Sequence, residues 1–175
     1  FFDSLYDEEA EVRAEAILSI QAVERSDAYV IGTVPDFVSK LSDPDPTVRK
    51  RAVSNLRTLA RTEPKRFRRA VKKIVEIHET GFEDSQRLAR ELLAMISDHE
   101  PELVEPFLDS LVGTTGVGPE RGGPAVLEAL QHIGANSPEK LNNRGFFTDF
   151  RKQAISHPDP ETREASARVL NVVAG

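Results

Sequence analysis

The chain has no cysteine and no tryptophan, a single methionine, and aromatic residues at only 6% of its 175 positions. Without cysteine there is no disulfide, no thiolate metal ligand and no thiol nucleophile, and a cytoplasmic location is the expectation. The few aromatics leave little on which nucleobases could stack. No apolar run approaches the roughly 20 residues needed to cross a bilayer, and no signal-peptide pattern opens the chain, so a soluble protein with no membrane partner is expected. What remains is ordinary for a folded chain, with 39% hydrophobic and 30% charged residues. Phe1-Phe2-Asp3-Ser4-Leu5 reads as the tail of a helix, which predicts that these residues belong to a longer protein.

Proline maps the organisation, because its ring suits the first helical turn and is costly in a helix interior. Six of the eleven prolines, at 46, 64, 101, 124, 138 and 160, stand where an apolar pattern of helical period begins. Pro44, Pro119 and Pro158 fall in turns or loops, whereas Pro35 and Pro106 lie inside helical patterns and predict kinks. Stripes such as Val48, Ala52, Leu56 and Leu59, or Phe67, Val71 and Ile74, have the spacing of one buried helix face. The spacing predicts helices near 8–24, 28–42, 46–61, 64–79, 84–97, 101–112, 124–135, 138–156 and 160–173, and no strand.

These helices repeat in pairs. Pro64, Pro101 and Pro138 are each 37 residues apart, and Leu5 to Leu41 is 36. A hairpin of that size cannot bury both its faces alone, so adjacent copies must stack into a continuous core. Leu5 to Val23, Leu41 to Leu59 and Ile155 to Val173 can be superposed: an apolar residue closes one helix, a tight acidic or Pro-rich turn follows, and the next helix opens with an Arg. The turns are Asp7-Glu8-Glu9-Ala10, Asp43-Pro44-Asp45-Pro46 and His157-Pro158-Asp159-Pro160, and the arginines are Arg13, Arg49 and Arg163. Asp45 and Asp159 are placed to cap the helices that Pro46 and Pro160 open, and each stands four residues before its Arg, as Glu9 does before Arg13. A structural role at the helix start is therefore expected for these arginines.

Leu41-Ser42-Asp43-Pro44-Asp45-Pro46-Thr47-Val48-Arg49-Lys50-Arg51-Ala52 resembles the HEAT-repeat family, in which an Asp-Pro turn joins an outer helix to an inner helix beginning Val-Arg. Ile155 to Ala165 is similar, with Thr162 in the place of Val48, and Leu5 to Ala16 is a looser match without the prolines. Two repeats depart from the pattern: Glu79 to Asp84 lacks Asp-Pro, and Gly113 to Pro124 is an insertion at the turn. The resemblance implies an all-α, right-handed α-solenoid of about five stacked hairpins, the first incomplete, forming one HEAT-like domain over 1–175. It also implies a non-catalytic scaffold for protein–protein interaction. The period is a little shorter than usual for HEAT repeats, and armadillo-type or lyase-type repeats stay open.

Charge is segregated within a net of −6. Residues 1–45 carry −8, residues 46–75 carry +10, and residues 76–175 carry −8. Lys50, Arg57, Arg61, Lys65, Arg66, Arg68, Arg69, Lys72 and Lys73 are the candidate partner-binding residues of this basic island, which suits an anionic partner. The spacing brings Arg57, Arg61, Lys65, Arg66 and Arg69 towards the shared end of two antiparallel helices. Three readings stay open: a solvated face neutralised by neighbouring acids, a docking surface for an acidic protein segment, and a nucleic-acid or polyanion surface. Phe67, the only aromatic in the island, belongs to a core stripe, which counts against nucleic acid.

No catalytic or cofactor site can be nominated. The Gly-rich stretch 113–124 lacks the Gly-Lys-Ser/Thr ending of a phosphate loop and follows a helix, so it reads as an intra-repeat loop. His78-Glu79 and His99-Glu100 are similar in kind to the His-Glu pairs of deoxyhypusine hydroxylase, a HEAT-type iron enzyme, but the surrounding motif does not match. No metal is expected, and a metal-dependent or lyase-type enzyme is the remote alternative.

Overall fold

In the computed structural model, residues 2–24, 33–115, 123–142 and 146–174 are described. Every regular element among them is helical: α1 (Ala10–Glu24), α2 (Thr33–Ser39), α3 (Pro46–Thr62), α4 (Val71–Thr80), α5 (Glu83–His99), α6 (Pro101–Val104), α7 (Leu108–Thr115), α8 (Gly123–Asn136), α9 (Pro138–Asn142), α10 (Phe147–Ser156) and α11 (Pro160–Ala174). Short 3₁₀ turns cover Asp3–Tyr6, Lys40–Ser42, Pro64–Arg69 and Glu105–Phe107.

Two compact units divide the chain, Phe1–Leu92 and Leu93–Gly175. In the first, α3 packs against α1 and α2, and α2 also meets α4. Its core is Leu5, Ile17, Phe37, Leu41, Leu56, Phe67 and Ile74, all fully buried. In the second, α8 and α11 pack together, with α10 on α11 and α6 on α8, around Leu93, Ile96, Leu108 and Phe150. Each unit has its own apolar interior, drawn from the stripes of helical period.

The predicted helices 8–24, 46–61, 84–97, 124–135 and 160–173 correspond to α1, α3, α5, α8 and α11 within two residues at each end. Two of their partners are broken instead of continuous. The predicted helix 64–79 is a 3₁₀ turn at Pro64–Arg69 followed by α4, with Ala70 at φ −108° between them. The predicted helix 101–112 is α6, a 3₁₀ turn at Glu105–Phe107 and α7, so the interruption expected at Pro106 is present. Pro35 is the third described residue of α2, and the stretch before it, which the expected kink involves, lies outside the described residues. The predicted helix 28–42 starts in residues 25–32, outside the described set, and the described part ends in the 3₁₀ turn Lys40–Ser42. The predicted helix 138–156 is described as α9 and α10, and residues 143–145 lie outside. The expected loop from Gly113 begins later, since α7 continues to Thr115 and α8 already includes Gly123 and Pro124; residues 116–122 lie outside. Of Phe1-Phe2-Asp3-Ser4-Leu5, read as a helix tail, Phe1 lies outside the described residues and Phe2 leads into a 3₁₀ turn over Asp3–Tyr6, which Tyr6 ties down by donating to Asp36 Oδ1 at 2.9 Å beneath the Lys40 ammonium.

Candidate functional site

Asp45 accepts from the amides of Thr47 (2.7 Å) and Val48 (3.2 Å), and so caps α3 behind Pro46. Those two bonds hold the Asp45 carboxyl below its ordinary value. Asp159 does the same for α11 through the Thr162 hydroxyl and amide. A carboxylate pinned to backbone amides is not available to the arginine four residues on. The expected i,i+4 pairs are therefore replaced by another arrangement.

Each turn arginine reaches back to its own turn. Arg13 donates to the carbonyls of Asp7 and Glu8, Arg49 to those of Asp43 and Pro44, and Arg163 to those of His157 and Pro158, all within 3.1 Å. The other edge of the guanidinium turns forward to the next repeat. Arg13 makes a two-pronged pair with Asp43 (2.8 Å each), and Arg49 holds Asp84 at 2.9 to 3.0 Å. The Arg49 guanidinium also lies 4.6 Å from the Phe82 ring centre. Burial alone would raise the Asp43 and Asp84 carboxyls, but the hydrogen bonds from Arg13 and Arg49 outweigh it and hold both below the usual range. The series ends there, because the position after Arg49 in the pattern is Gln86, whose amide contacts the Glu79 carbonyl at 3.5 Å and carries no charge.

The basic island is thus sorted into bound and free charge. Arg49 and Arg51 are tied into repeat pairing, Arg51 through Glu15 at 2.7 Å. Arg57 is drawn to Glu91 by two N–H groups on one carboxylate oxygen, Arg66 is 3.5 Å from Glu63, and Lys73 pairs with Glu76 at 3.1 Å. Lys50, Arg61, Arg68, Arg69 and Lys72 are exposed and make no ion pair among the described residues. Lys65 is also exposed.

Local geometry concentrates this charge. In the 3₁₀ turn Pro64–Arg69 side chains three apart eclipse one another, so Lys65 lies over Arg68 and Arg66 over Arg69 while Phe67 points inward, fully buried. On α3, Lys50 and Arg57 instead border a groove towards α5, with Val53 between them and Arg87 and Leu88 opposite. The candidate residues therefore form two surfaces, one on the turn and α4, the other along this groove.

The histidines take separate positions. His78 is buried in α4, and burial, assisted by the Arg90 charge, lowers it to about 4. His99 ends α5, exposed and 3.7 Å from Asp98, which His132 approaches at 3.5 Å. Among the described residues no three His, Cys, Asp or Glu side chains are grouped so as to hold a metal ion. No described helix is long and apolar enough to cross a membrane.

Residues 34–62 match the family model described as HEAT repeat. One segment of the chain is thus similar to a HEAT repeat, and the fold of the chain is similar to that of solved armadillo repeat structures. The matched segment holds most of α2, the Asp-Pro turn and all of α3, and so contains the Arg49 contacts to the turn. Solved structures with the same fold include an engineered protein from structural genomics (TM-score 0.72, 19% identity, 99% of this chain and 77% of that one). A computationally designed armadillo repeat protein for modular peptide recognition is as similar (0.72, 19%, 98% and 79%). A designed armadillo repeat protein in complex with the peptide (KR)4 is another (0.73, 19%, 98% and 80%). Comparison with curated proteins found no match by sequence.

Proposed function

We propose that the chain is one non-catalytic HEAT-like repeat domain that docks an acidic segment of a protein partner on the basic surface of residues 50–73. The observation that carries this reading is the set of exposed cations without ion partners among the described residues: Arg61 at the end of α3, Arg68 and Arg69 on the 3₁₀ turn, and Lys72 on α4. Solvated faces usually neutralise such charge with neighbours, as Arg51, Arg57 and Lys73 do here. A cluster left open suits a partner that brings the anions. Support for a peptide-like partner comes from the structural neighbours made for peptide recognition. The (KR)4 ligand of one neighbour is cationic, whereas the open charge here is positive and selects the opposite sign.

The test is the triple reversal Arg61→Glu, Arg68→Glu and Arg69→Glu, measured by binding of an acidic peptide at rising salt. Loss of binding with an unchanged helical circular-dichroism spectrum supports the reading. Undiminished affinity refutes it. A nucleic-acid surface would instead favour a single-stranded oligonucleotide over the peptide, with a steep salt slope from counterion release.

A further inference from the structure

The groove between α3 and α5 is separate from the turn-and-α4 surface and has a chemistry of its own. It encloses about 370 Å³ and lies wholly within the first compact unit. Its lining combines apolar and cationic side chains: Val53 and Leu88 supply hydrocarbon, while Lys50 and Arg87 stand exposed at its border.

Charge in the groove is not evenly neutralised. Asp84 is taken by Arg49 and Glu91 by Arg57, so both carboxylates already have a guanidinium. Lys50 and Arg87 are left over, one from each helix, with no ion pair among the described residues. These two cations with an apolar strip between them make a surface for one carboxylate beside one apolar side chain. Such alternation belongs to an extended peptide, not to a phosphate backbone, whose charges would meet Asp84 and Glu91 and find no aromatic lining residue to stack on.

We infer that this groove binds an extended acidic peptide, its carboxylate held between Lys50 and Arg87 and its neighbouring apolar side chain laid on Val53 and Leu88. Arg49 and Arg57 act as fixed walls, since their hydrogen bonds to Asp84 and Glu91 hold the guanidinium groups in place before a ligand arrives. The inference deepens the acidic-partner reading by naming the contact, but uses none of Arg61, Arg68 or Arg69.

The experiment compares two reversals in the full chain: Lys50→Glu with Arg87→Glu in the groove, and Arg61→Glu with Arg68→Glu and Arg69→Glu outside it. The probe is a fluorescent peptide alternating Glu and Leu, with a Lys-Leu peptide and an oligothymidylate as controls, read by anisotropy at low salt. Tenfold or greater weakening from the groove reversal, beyond the loss that the outer reversal produces by itself, is the expected result, since contacts at a built site exceed diffuse attraction. The milder pair Lys50→Gln with Arg87→Gln should move affinity in the same direction. Loss on the outer reversal with none on the groove reversal overturns the groove and leaves the acidic-partner reading standing. No binding of the acidic peptide by the unaltered chain, or tighter binding of oligothymidylate, overturns both.

Discussion

At the scale of single residues, the decisive choice is how each Asp in a turn is spent. Asp45 is consumed by two amides, and that frees Arg49 to hold carbonyls behind it and Asp84 ahead. Asp43 serves Arg13 with both oxygens and also accepts from the Asp45 amide, with its side chain only 4% exposed. Asp43→Ala removes that partner from Arg13 and should cost about 2–3 kcal/mol, read as a lower urea midpoint. Arg49→Ala should cost less than Asp43→Ala, because Asp84 is half exposed and its pair is screened by water. Protonation adds a two-stage pH dependence. His78 is neutral in the fold down to about 4, whereas the unfolded chain takes its proton near 6.5, so stability falls as pH drops between those values. The depressed Asp43 and Asp84 carboxyls contribute stability that is full above the unfolded value of 3.8 and is lost as pH falls through their folded values. Thermal midpoints across this range should show both stages, with His78→Gln flattening the upper one and Asp43→Asn the lower.

Among the elements, α1, α3, α5, α8 and α11 were legible because three signals coincide in each: an apolar stripe, a polar opposite face and, for most, a Pro or Asp start. The broken helices were not, since Phe67, Ala70, Val71 and Ile74 keep an apolar period straight through the break. Periodicity reports which side chains are buried and is nearly blind to a change from 3₁₀ to α pitch at Ala70, where neither Pro nor Gly marks the junction. Two glycines show how closely elements approach. A Cβ at Gly81 would lie 2.6 Å from the Ile77 carbonyl oxygen, a backbone atom that cannot move without disturbing the end of α4. Gly81→Ala should therefore lose about 1–3 kcal/mol in chemical denaturation. At Gly134 the nearest atom is the flexible Leu141 Cδ1 at 2.8 Å, and the better helix propensity of Ala offsets the crowding. Gly134→Ala should stay within about 1 kcal/mol of the unaltered protein.

Taken whole, the molecule keeps its surplus positive charge in one third of its first unit, and that was plain from the sequence. Which of those cations are free was not. The partners of Arg13 and Arg49 lie 30 and 35 residues away, while an acid four residues before each offered an equally good local match. Division of the island between the turn-and-α4 surface and the groove was likewise hidden, because it depends on which way α3 faces α5. If docking is electrostatic, affinity for an acidic peptide should fall about tenfold or more as salt rises from low to physiological concentration, and mixing rates should fall with it. The doubly bonded arginines carry one further consequence. Each joins its own bend to a carboxylate of the following repeat, 30 residues on for Arg13 and 35 for Arg49, so the forward tie follows how the helices pack and not a fixed count along the chain. One extra residue between Pro44 and Arg49 would turn the guanidinium about 100° around the helix, away from the Asp43 and Pro44 carbonyls and from Asp84 together, and strand a charge.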